Sequence, residues 1–328
     1  MILFHIGISF VERTYTLYND LKKGMIFMNF FHACQQKGIS IEENIPLKSY
    51  STLHIGGNAR YFTTPSSYEE IQTILVLCKQ YKLPYFILGN GSNILFDDEG
   101  YQGVIIYTAK YLKKLSLLPN HKIRAQCGVS LKELNSFALA NSLSSLEFSC
   151  GIPGSVGGAV IMNAGAYGSE IKDVILEVVY LDENFIIQKH QTSSKDFAYR
   201  QSIFAKHQYV ILEATFQLHC DNVNNIQSRI HDLMKKRYEK QPMDQYSAGS
   251  TFKRPAGNYA SALIQQANLQ GLSVGDAMVS LKHAGFLINK GNATSKQFLK
   301  LIQKVQDKVK AHSGYDLECE IKYVKSDQ

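Results

Sequence analysis

Apolar residues recur at helical spacing in four stretches of the chain. Two of these stretches follow a serine placed three residues before a glutamate, Ser67 and Ser130, which is the pattern of a capping box. A third stretch begins at Thr294 and is followed by Gly314, a typical helix stop. The pattern therefore predicts helices after Ser67, after Ser130, over residues 258–268 and over residues 294–312.

Shorter apolar runs bounded by turn residues predict strands. These runs are Tyr85–Leu88, Ile94–Phe96 and residues 104–107, 174–181, 209–218 and 317–324. In the last run, alternation puts Leu317, Cys319, Ile321 and Tyr323 on one face and Glu318, Glu320 and Lys322 on the other. If the apolar face packs on the core, Glu320 faces solvent or a cleft, and the pattern alone favours solvent.

The length of 328 residues exceeds one ordinary domain, and 45% hydrophobic residues can form a sizeable core. No apolar run is long enough for a membrane-spanning helix. We interpret residues 1–43 as an extension and lead-in, with a start at Met25 or Met28 as an alternative for the first part. The stretch 1–10 is apolar but lacks the preceding basic residue of a signal peptide. Residues 44–220 form a second region that splits near 110, and 221–328 form a third.

The net charge of +7 is unevenly distributed. Residues 221–328 hold 16 basic and 10 acidic residues, a net charge of +6. This excess suits an anionic ligand, and ordinary lysine-rich surface helices explain it about as well. Nucleic acid is a weaker option, because no basic run is interleaved with aromatic residues. The six cysteines form no C-x-x-C pair, which indicates reduced thiols in small core positions rather than a disulfide scaffold or a zinc site.

Three glycine-rich segments predict a ligand site. Residues 151–168 hold six of the 23 glycines, and such density lets the backbone approach a ligand and leaves N–H groups free for phosphate oxygens. A second segment is Gly89-Asn-Gly-Ser-Asn93, and Gly56-Gly57 is a third. Because neither G-x-G-x-x-G nor a P-loop is present, the segments indicate a large cofactor in a different fold.

Two polar residues lie in suggestive surroundings. Arg200 stands among apolar neighbours, where it serves either a buried ion pair or an anion clamp. Ser250 follows a glycine but not in G-x-S-x-G, so a helix cap or turn is the usual explanation and a nucleophile is disfavoured.

Several motifs then occur together in one order. They are the run from Asn44 to Ala59 with Tyr-Ser-Thr-Leu-x-Ile-Gly-Gly, Gly89–Asn93, residues 151–168, Tyr-Arg-x-Ser at 199–202, Ala-Gly-Ser-x-Phe at 248–252, Lys-His-Ala-Gly-Phe-Leu-Ile-Asn at 282–289, and Leu-Glu-Cys-Glu-Ile-Lys at 317–322. From about residue 44 to 324 the chain resembles the UDP-N-acetylenolpyruvoylglucosamine reductases, flavoenzymes of peptidoglycan precursor synthesis.

The resemblance implies an α+β fold, with an FAD-binding region of the vanillyl-alcohol-oxidase (PCMH) type and a C-terminal α+β substrate domain. FAD would be bound non-covalently, with His54 as the candidate attachment point to check, and NADPH would reduce it. The implied FAD-binding residues are Gly56, Gly57, Gly89, Asn90, Gly91, Ser92, Asn93, Ile152, Pro153, Gly154, Ser155, Val156, Gly157 and Gly158. No metal is implied.

The resemblance also assigns roles to isolated residues. Ser250 matches the proton donor, and Arg200 and Glu320 match the residues that stabilise an enolate. Lys240 and Arg254 would bind the diphosphate of a UDP-sugar enolpyruvyl ether, which is reduced to UDP-N-acetylmuramate. The expectation is a cytoplasmic monomer of cell-wall synthesis, linked to cell shape and division, with no nucleic acid or membrane partner.

The chain departs from the family pattern in two places. The interval from Arg200 to Ser250 is short and resembles the branch without the inserted tyrosine loop that closes over substrate. Cys319 stands where proline is common. Two rival functions remain, another FAD oxidoreductase of this fold acting on a different sugar or alcohol, and a basic binding module for RNA.

Overall fold

A computed structural model describes residues 29–327. The interpretation of residues 1–24 as an extension lies outside the described residues. Residues 30–43 are part of the fold, because Phe30 and Cys34 lie in the main core and the strand that begins at Ile41 pairs with its neighbour.

The first subdomain is a four-stranded sheet with two helices on one face. Its elements are α1 (Phe30–Gln36), β1 (Ile41–Pro46), β2 (Asn58–Thr63), α2 (Tyr68–Gln80), β3 (Tyr85–Leu88), β4 (Ile94–Phe96) and β5 (Tyr101–Tyr107). The order in the sheet is β1-β2-β5-β3, and β2, β5 and β3 are parallel. Their carboxyl ends therefore meet at one edge, where the loop from Gly89 to Asn93 begins.

The second subdomain is built on a five-stranded antiparallel sheet of order β12-β11-β15-β7-β6. Its elements are β6 (Leu115–Leu118), β7 (Lys122–Gln126), α3 (Leu131–Ala140), β8 (Leu143–Ser144), α4 (Val156–Met162), β9 (Gly165–Ala166), β10 (Ser169–Glu170), β11 (Ile175–Leu181), β12 (Ile187–Gln191), β13 (Phe197–Ala198), β14 (Gln201–Ser202), α5 (Ile203–Lys206), β15 (Val210–Gln217), β16 (His219–Cys220) and α6 (Val223–Lys240). It shares one hydrophobic core with the helical face of the first sheet.

The C-terminal part has a core of its own. Its elements are β17 (Tyr246–Ser250), α7 (Ala260–Gln266), β18 (Ser273–Val274), β19 (Ala277–Val279), β20 (Phe286–Asn289), α8 (Ser295–Ser313) and β21 (Lys322–Val324). The strands β17-β20-β19-β18 form an antiparallel sheet, and β21 returns to pair with β4 of the first subdomain. Leu53, Ile55 and Leu95 enter this core, so the two regions are joined by buried apolar contacts.

The helix α6 follows the expected boundary near residue 221. It packs against α3, β8 and the 3-10 turn Glu147–Ser149, all of the second subdomain. The C-terminal core instead draws its residues from Ala248 onward, together with the three residues from the first subdomain.

The predicted helix starts are confirmed in detail. Ser67, Ser130 and Thr294 each accept a hydrogen bond from the backbone N–H three residues later, and Gly314 ends α8 with φ 75°. The predicted strand over 317–324 is too long, because only Lys322–Val324 is strand and Cys319 forms an isolated bridge with Phe252. The segment instead leaves the C-terminal part after the Phe252 bridge and then pairs with β4 of the first subdomain.

The structure also bears on the expectations about membrane spans, metal sites and cysteines. Within residues 29–327, no helix is long and apolar enough to cross a membrane, and no cluster of three His, Cys, Asp or Glu side chains could hold a metal ion. All six cysteines are free, and burial raises the pKa of the Cys34 thiol to about 11. Cys220 is exposed, which corrects the expectation that every cysteine is a core residue, because the short strand β16 lies at the surface.

Candidate active site

Arg200 and Glu320 form a largely buried ion pair although 120 residues separate them. Arg200 Nε lies 2.6 Å from Glu320 Oε1, and the two side chains are 18% and 12% exposed. Arg200 Nη2 also donates to the carbonyl of Gly165 at 3.4 Å. The expectation that Glu320 faces solvent is therefore wrong, because Arg200 of the second subdomain covers its carboxylate.

The backbone around Arg200 explains how its side chain is held. Tyr199 and Arg200 form the two-residue turn between β13 and β14, and Arg200 adopts the left-handed conformation with φ 58°. A residue other than glycine is uncommon there, which is a form of strain found at functional sites. The Arg200 guanidinium lies over the Tyr199 ring, 5.0 Å from its centroid, and this contact restricts it further.

Ser250 lies at the end of β17, on a strand adjacent to the segment of Glu320. The buried residue after it, Thr251, accepts a hydrogen bond from the Glu320 N–H at 2.8 Å and donates to the Gly285 carbonyl at 2.9 Å. A register shift between Ser247 and Ser250 and the positive φ of Gly249 bend the strand at this point. The Ser250 side chain is exposed and has no hydrogen-bond partner among the described residues, so its hydroxyl is available to a ligand.

The loop Gly89–Asn93 is tied directly to the ion-pair segment. Asn93 Nδ2 donates to the Glu320 carbonyl at 3.2 Å, and the Asn93 carbonyl accepts from the Lys322 N–H at 3.0 Å. The proposed cofactor loop and the proposed catalytic strand therefore hold each other in place.

The same loop meets the second glycine segment. Asn90 Nδ2 donates to the Pro153 carbonyl at 3.2 Å, and a Cβ on Gly89 would collide with Ser155 Oγ. Ser155 Oγ also caps α4 through the Gly158 N–H. A Cβ at position 89 would therefore displace Ser155 Oγ from this cap, because two subdomains approach each other closely there.

The two facing loops fit the diphosphate of a large cofactor. Within residues 29–327, several of their backbone N–H groups donate no hydrogen bond, namely those of Asn90, Gly91, Ser92, Asn93, Gly154 and Ser155. A Cβ on Gly154 would meet no atom closer than 3.7 Å, so the surface beside it is open. Unused N–H groups around an open glycine surface are typical of phosphate binding.

Close packing explains why positions 56 and 57 are glycine. A Cβ on Gly56 would lie 2.6 Å from Phe96 Cβ, and one on Gly57 would collide with the Asp98 carbonyl. The neighbouring His54 is exposed and stacks on Tyr246, with ring centroids 4.0 Å apart. Contact of these residues with a cofactor stays a prediction.

The two proposed diphosphate-binding cations lie on different elements. Lys240 is exposed in the last turn of α6. Arg254 is exposed beside a cavity of about 470 Å³. Its guanidinium lies 4.3 Å from the Tyr259 ring centroid, and its backbone N–H donates a hydrogen bond to Tyr199 Oη at 3.2 Å. The Tyr199 contact places Arg254 near Arg200, whereas within residues 29–327 no comparable contact links Lys240 to that turn.

Burial controls the charge of Glu320. It raises the pKa of this carboxyl above its ordinary range, and the Arg200 guanidinium opposes that rise. Glu320 Oε2 is buried and accepts no hydrogen bond in the described structure. An unsatisfied buried oxygen is costly, so it marks a position where a ligand atom would bind.

Sequence reasoning missed three residues that organise the site. Asn163, at the end of α4, donates to the Ala198 carbonyl and accepts from the Lys172 N–H, so it holds the turn of Arg200 against Gly165. Thr251 joins Ser250 to Glu320 as described above. The left-handed Asn163, with φ 42°, carried a weak signal in its position after a helix, but Thr251 and the Gly165 carbonyl carried none.

Comparison with known proteins gives a consistent result. A family model described as "UDP-N-acetylenolpyruvoylglucosamine reductase, C-terminal domain" matches residues 241–324, and one described as "FAD binding domain" matches residues 59–184.

Two relatives named UDP-N-acetylenolpyruvoylglucosamine reductase match most of the chain. That of Clostridium kluyveri is 46% identical over 289 residues, which cover 88% of this chain and 94% of the relative. That of Syntrophomonas wolfei is 45% identical over 284 residues, with coverage of 87% and 95%. The crystal structure of UDP-N-acetylenolpyruvylglucosamine reductase from Thermus caldophilus superposes with a TM-score of 0.75 at 32% identity, covering 87% of this chain and 99% of that one. The predicted fold, an FAD-binding region with a C-terminal α+β domain, is confirmed.

Proposed function

Since the chain belongs to the UDP-N-acetylenolpyruvoylglucosamine reductase family, we propose that it reduces UDP-N-acetylglucosamine enolpyruvate to UDP-N-acetylmuramate. FAD would be held by the loop Gly89–Asn93 and residues 152–158, and it would supply the hydride chemistry, with NADPH as the reductant and the terminal methylene carbon of the enolpyruvyl group as the acceptor. The observation that supports this most is the set of contacts that joins Ser250, Arg200 and Glu320 to the two glycine loops.

Residues of the chain must stabilise the negative charge that hydride addition creates on the substrate. Negative charge develops on the carbon next to the substrate carboxylate, so the site needs cationic or donor groups there and a proton for the carbon. The Arg200 guanidinium keeps donor groups beyond those used by Glu320 and Gly165. Its ion pair, its cation–π contact and its turn fix its direction before substrate arrives, so little reorganisation is needed.

Glu320 acts beside Arg200 through its second oxygen. A raised pKa favours a proton on the carboxyl, and Oε1 is already engaged by Arg200. Oε2 is therefore the atom that can hold a proton and donate it to the enolate as a hydrogen bond.

Ser250 supplies the proton to carbon. Its hydroxyl is a weak acid, which suffices because the receiving carbanion is strongly basic. The backbone hydrogen bonds of the adjacent Thr251 tie this end of β17 to the segment that carries Glu320. Lys240 and Arg254 bind the diphosphate, consistent with the basic excess of residues 221–328. The enzyme works as a cytoplasmic monomer in peptidoglycan synthesis, without a nucleic acid or membrane partner, and FAD is held non-covalently.

Ser250→Ala tests the assignment. We expect the variant to retain FAD and to be reduced by NADPH at the wild-type rate, because flavin reduction needs no proton from Ser250. Reoxidation by the enolpyruvyl substrate should slow by about 10²- to 10⁴-fold, the usual value of a positioned acid. Stopped-flow absorbance of the flavin measures the two half-reactions separately.

Ser273→Ala is the matched control, because Ser273 is an exposed serine of β18 in the same sheet. It should match the wild type in both half-reactions. Reoxidation of Ser250→Ala at the wild-type rate would show that Ser250 is a turn residue and not the donor. A wild-type protein that carries no flavin would contradict the proposed function itself.

A further inference from the structure

His283 has a defined tautomer. It lies in the turn between β19 and β20, within the motif from Lys282 to Asn289 that the proposed mechanism leaves without a role. Its Nδ1 accepts a hydrogen bond from the Gly285 N–H at 3.1 Å. A ring nitrogen that accepts carries no proton, so in the neutral imidazole the proton is on Nε2.

The neutral form is favoured at this position. The ring is half-buried, and its centroid lies 4.9 Å from that of Phe286 in an edge-to-face arrangement. Burial lowers the pKa of His283 below its ordinary range. Protonation of His283 Nδ1 would also remove the hydrogen bond that this nitrogen accepts from the Gly285 N–H. His283 therefore presents a single N–H donor, Nε2–H, which has no acceptor within residues 29–327.

This donor lies on the face of the sheet that carries the proposed proton donor. Ser250 of β17 and Phe286 of β20 are direct cross-strand partners. Side chains of such partners stand on the same face, with Cβ atoms about 4.5–5.5 Å apart. Because the His283 ring packs on Phe286, it borders the surface on which Ser250 is exposed.

The same turn also contacts the end of α6. Lys282 Nζ donates to the Tyr238 carbonyl at 2.6 Å, and Lys240 follows two residues later in that helix. The turn that carries His283 is therefore tied to the end of the helix that carries Lys240.

We infer that His283 donates its Nε2–H to an uncharged oxygen, a carbonyl or hydroxyl, of the sugar-nucleotide substrate, an inference that rests on the proposed function. The neutral ring suits a neutral acceptor, and the cations of the site serve the phosphates. His283 is then a binding and specificity residue, and its Nδ1 contact with Gly285 directs the ring.

Two substitutions separate the two ring nitrogens. In His283→Asn, Oδ1 replaces the Nδ1 acceptor and the Nε2 donor is lost. In His283→Gln, the side-chain amide reaches the Nε2 position and the Nδ1 acceptor is lost. We expect His283→Asn to raise KM for the enolpyruvyl substrate by about 5- to 10-fold, the value of one neutral hydrogen bond, with kcat little changed. His283→Gln should stay within about 3-fold of the wild type.

Binding of UDP-N-acetylmuramate to the oxidised holoenzyme, followed by the flavin difference spectrum, should give the same ranking of Kd. If Asn preserves binding and Gln weakens it, His283 only braces the Gly285 turn and the inference is overturned. Equal loss in both variants, or no loss in either, overturns it as well. A wild-type holoenzyme that fails to turn over the substrate would instead contradict the proposed function.

Discussion

At the scale of single residues, Glu320 has two carboxylate oxygens in different environments. Oε1 is bound by Arg200, and Oε2 is buried without a partner in the described structure. Burial favours the neutral carboxyl while the guanidinium favours the charged one, and the pKa is raised on balance. The protonated form therefore persists to higher pH than in an exposed glutamate and is lost as the pH rises through the shifted pKa.

This behaviour predicts the pH dependence of reoxidation. If Oε2 donates a hydrogen bond to the enolate, the rate should fall on the alkaline side of the wild-type profile. Glu320→Gln keeps an N–H donor that does not titrate, so its rate should be lower by about tenfold or more but lack that alkaline fall. Stopped-flow reoxidation followed from acid to alkaline pH measures both effects.

Glu318→Gln is the control, because Glu318 lies on the same segment with a side chain 71% exposed. The reoxidation rate of Glu318→Gln should still fall at alkaline pH, as in the wild type. An alkaline fall that survives unchanged in Glu320→Gln would assign the titration to another group.

At the scale of elements, the first turn of α8 is capped twice. Thr294 and Gln297 form a capping box within the helix. Asp98, from the turn after β4, accepts hydrogen bonds from the N–H groups of Ser295 and Lys296 at 2.7 and 3.2 Å. A carboxylate at a helix N-terminus is stabilising, and here it also fastens the C-terminal domain to the first subdomain.

Asp98→Ala should therefore lower the free energy of unfolding by about 1–2 kcal/mol, since it removes two capping bonds and a favourable charge. Urea unfolding followed by circular dichroism measures the change. Asp307→Ala, a mid-helix substitution in α8 whose carboxylate contacts the Gln303 side chain, should cost clearly less. Equal losses in the two variants would contradict a special role for Asp98.

At the scale of the whole molecule, the candidate cofactor site lies between subdomains. The loop Gly89–Asn93 comes from the first and contacts residues 152–158 of the second. Glu320, from the C-terminal part, contacts Asn93 of the first subdomain and Arg200 of the second. A cofactor bound by these loops would therefore stabilise the arrangement of all three, in addition to its own contacts.

Gly89→Ala tests this arrangement. The added Cβ would displace Ser155 Oγ from its cap on the Gly158 N–H and disturb the facing loop, so we expect the Kd for FAD to rise about tenfold. Apoprotein, prepared by acid release of the flavin, is titrated with FAD and followed by flavin fluorescence. Flavin that stays with the denatured protein would contradict non-covalent binding.

Gly103→Ala provides the matched control, because its Cβ would collide with the Pro84 carbonyl within the same sheet, away from the loops. It should lower stability and leave the Kd for FAD within about twofold. If both variants weaken FAD binding equally, general destabilisation explains the effect.

The sequence by itself determined the local structure. The caps at Ser67, Ser130 and Thr294 and the strands Tyr85–Leu88 and Ile94–Phe96 follow from side-chain hydrogen bonds and apolar periods within a few residues. The ordered motifs also sufficed for the family, which the relative from Clostridium kluyveri confirms with 46% identity over 88% of the chain.

The tertiary structure decided what lies between these elements. The pattern of 317–324 suited a solvent-facing Glu320, but burial depends on what covers a strand, and here Arg200 from 120 residues away covers it. The unused N–H groups of the glycine loops and the donor of His283 became visible only once their surroundings were known. Local periodicity fixes the face on which a side chain lies, and only long-range packing fixes its partner and, through burial, its charge.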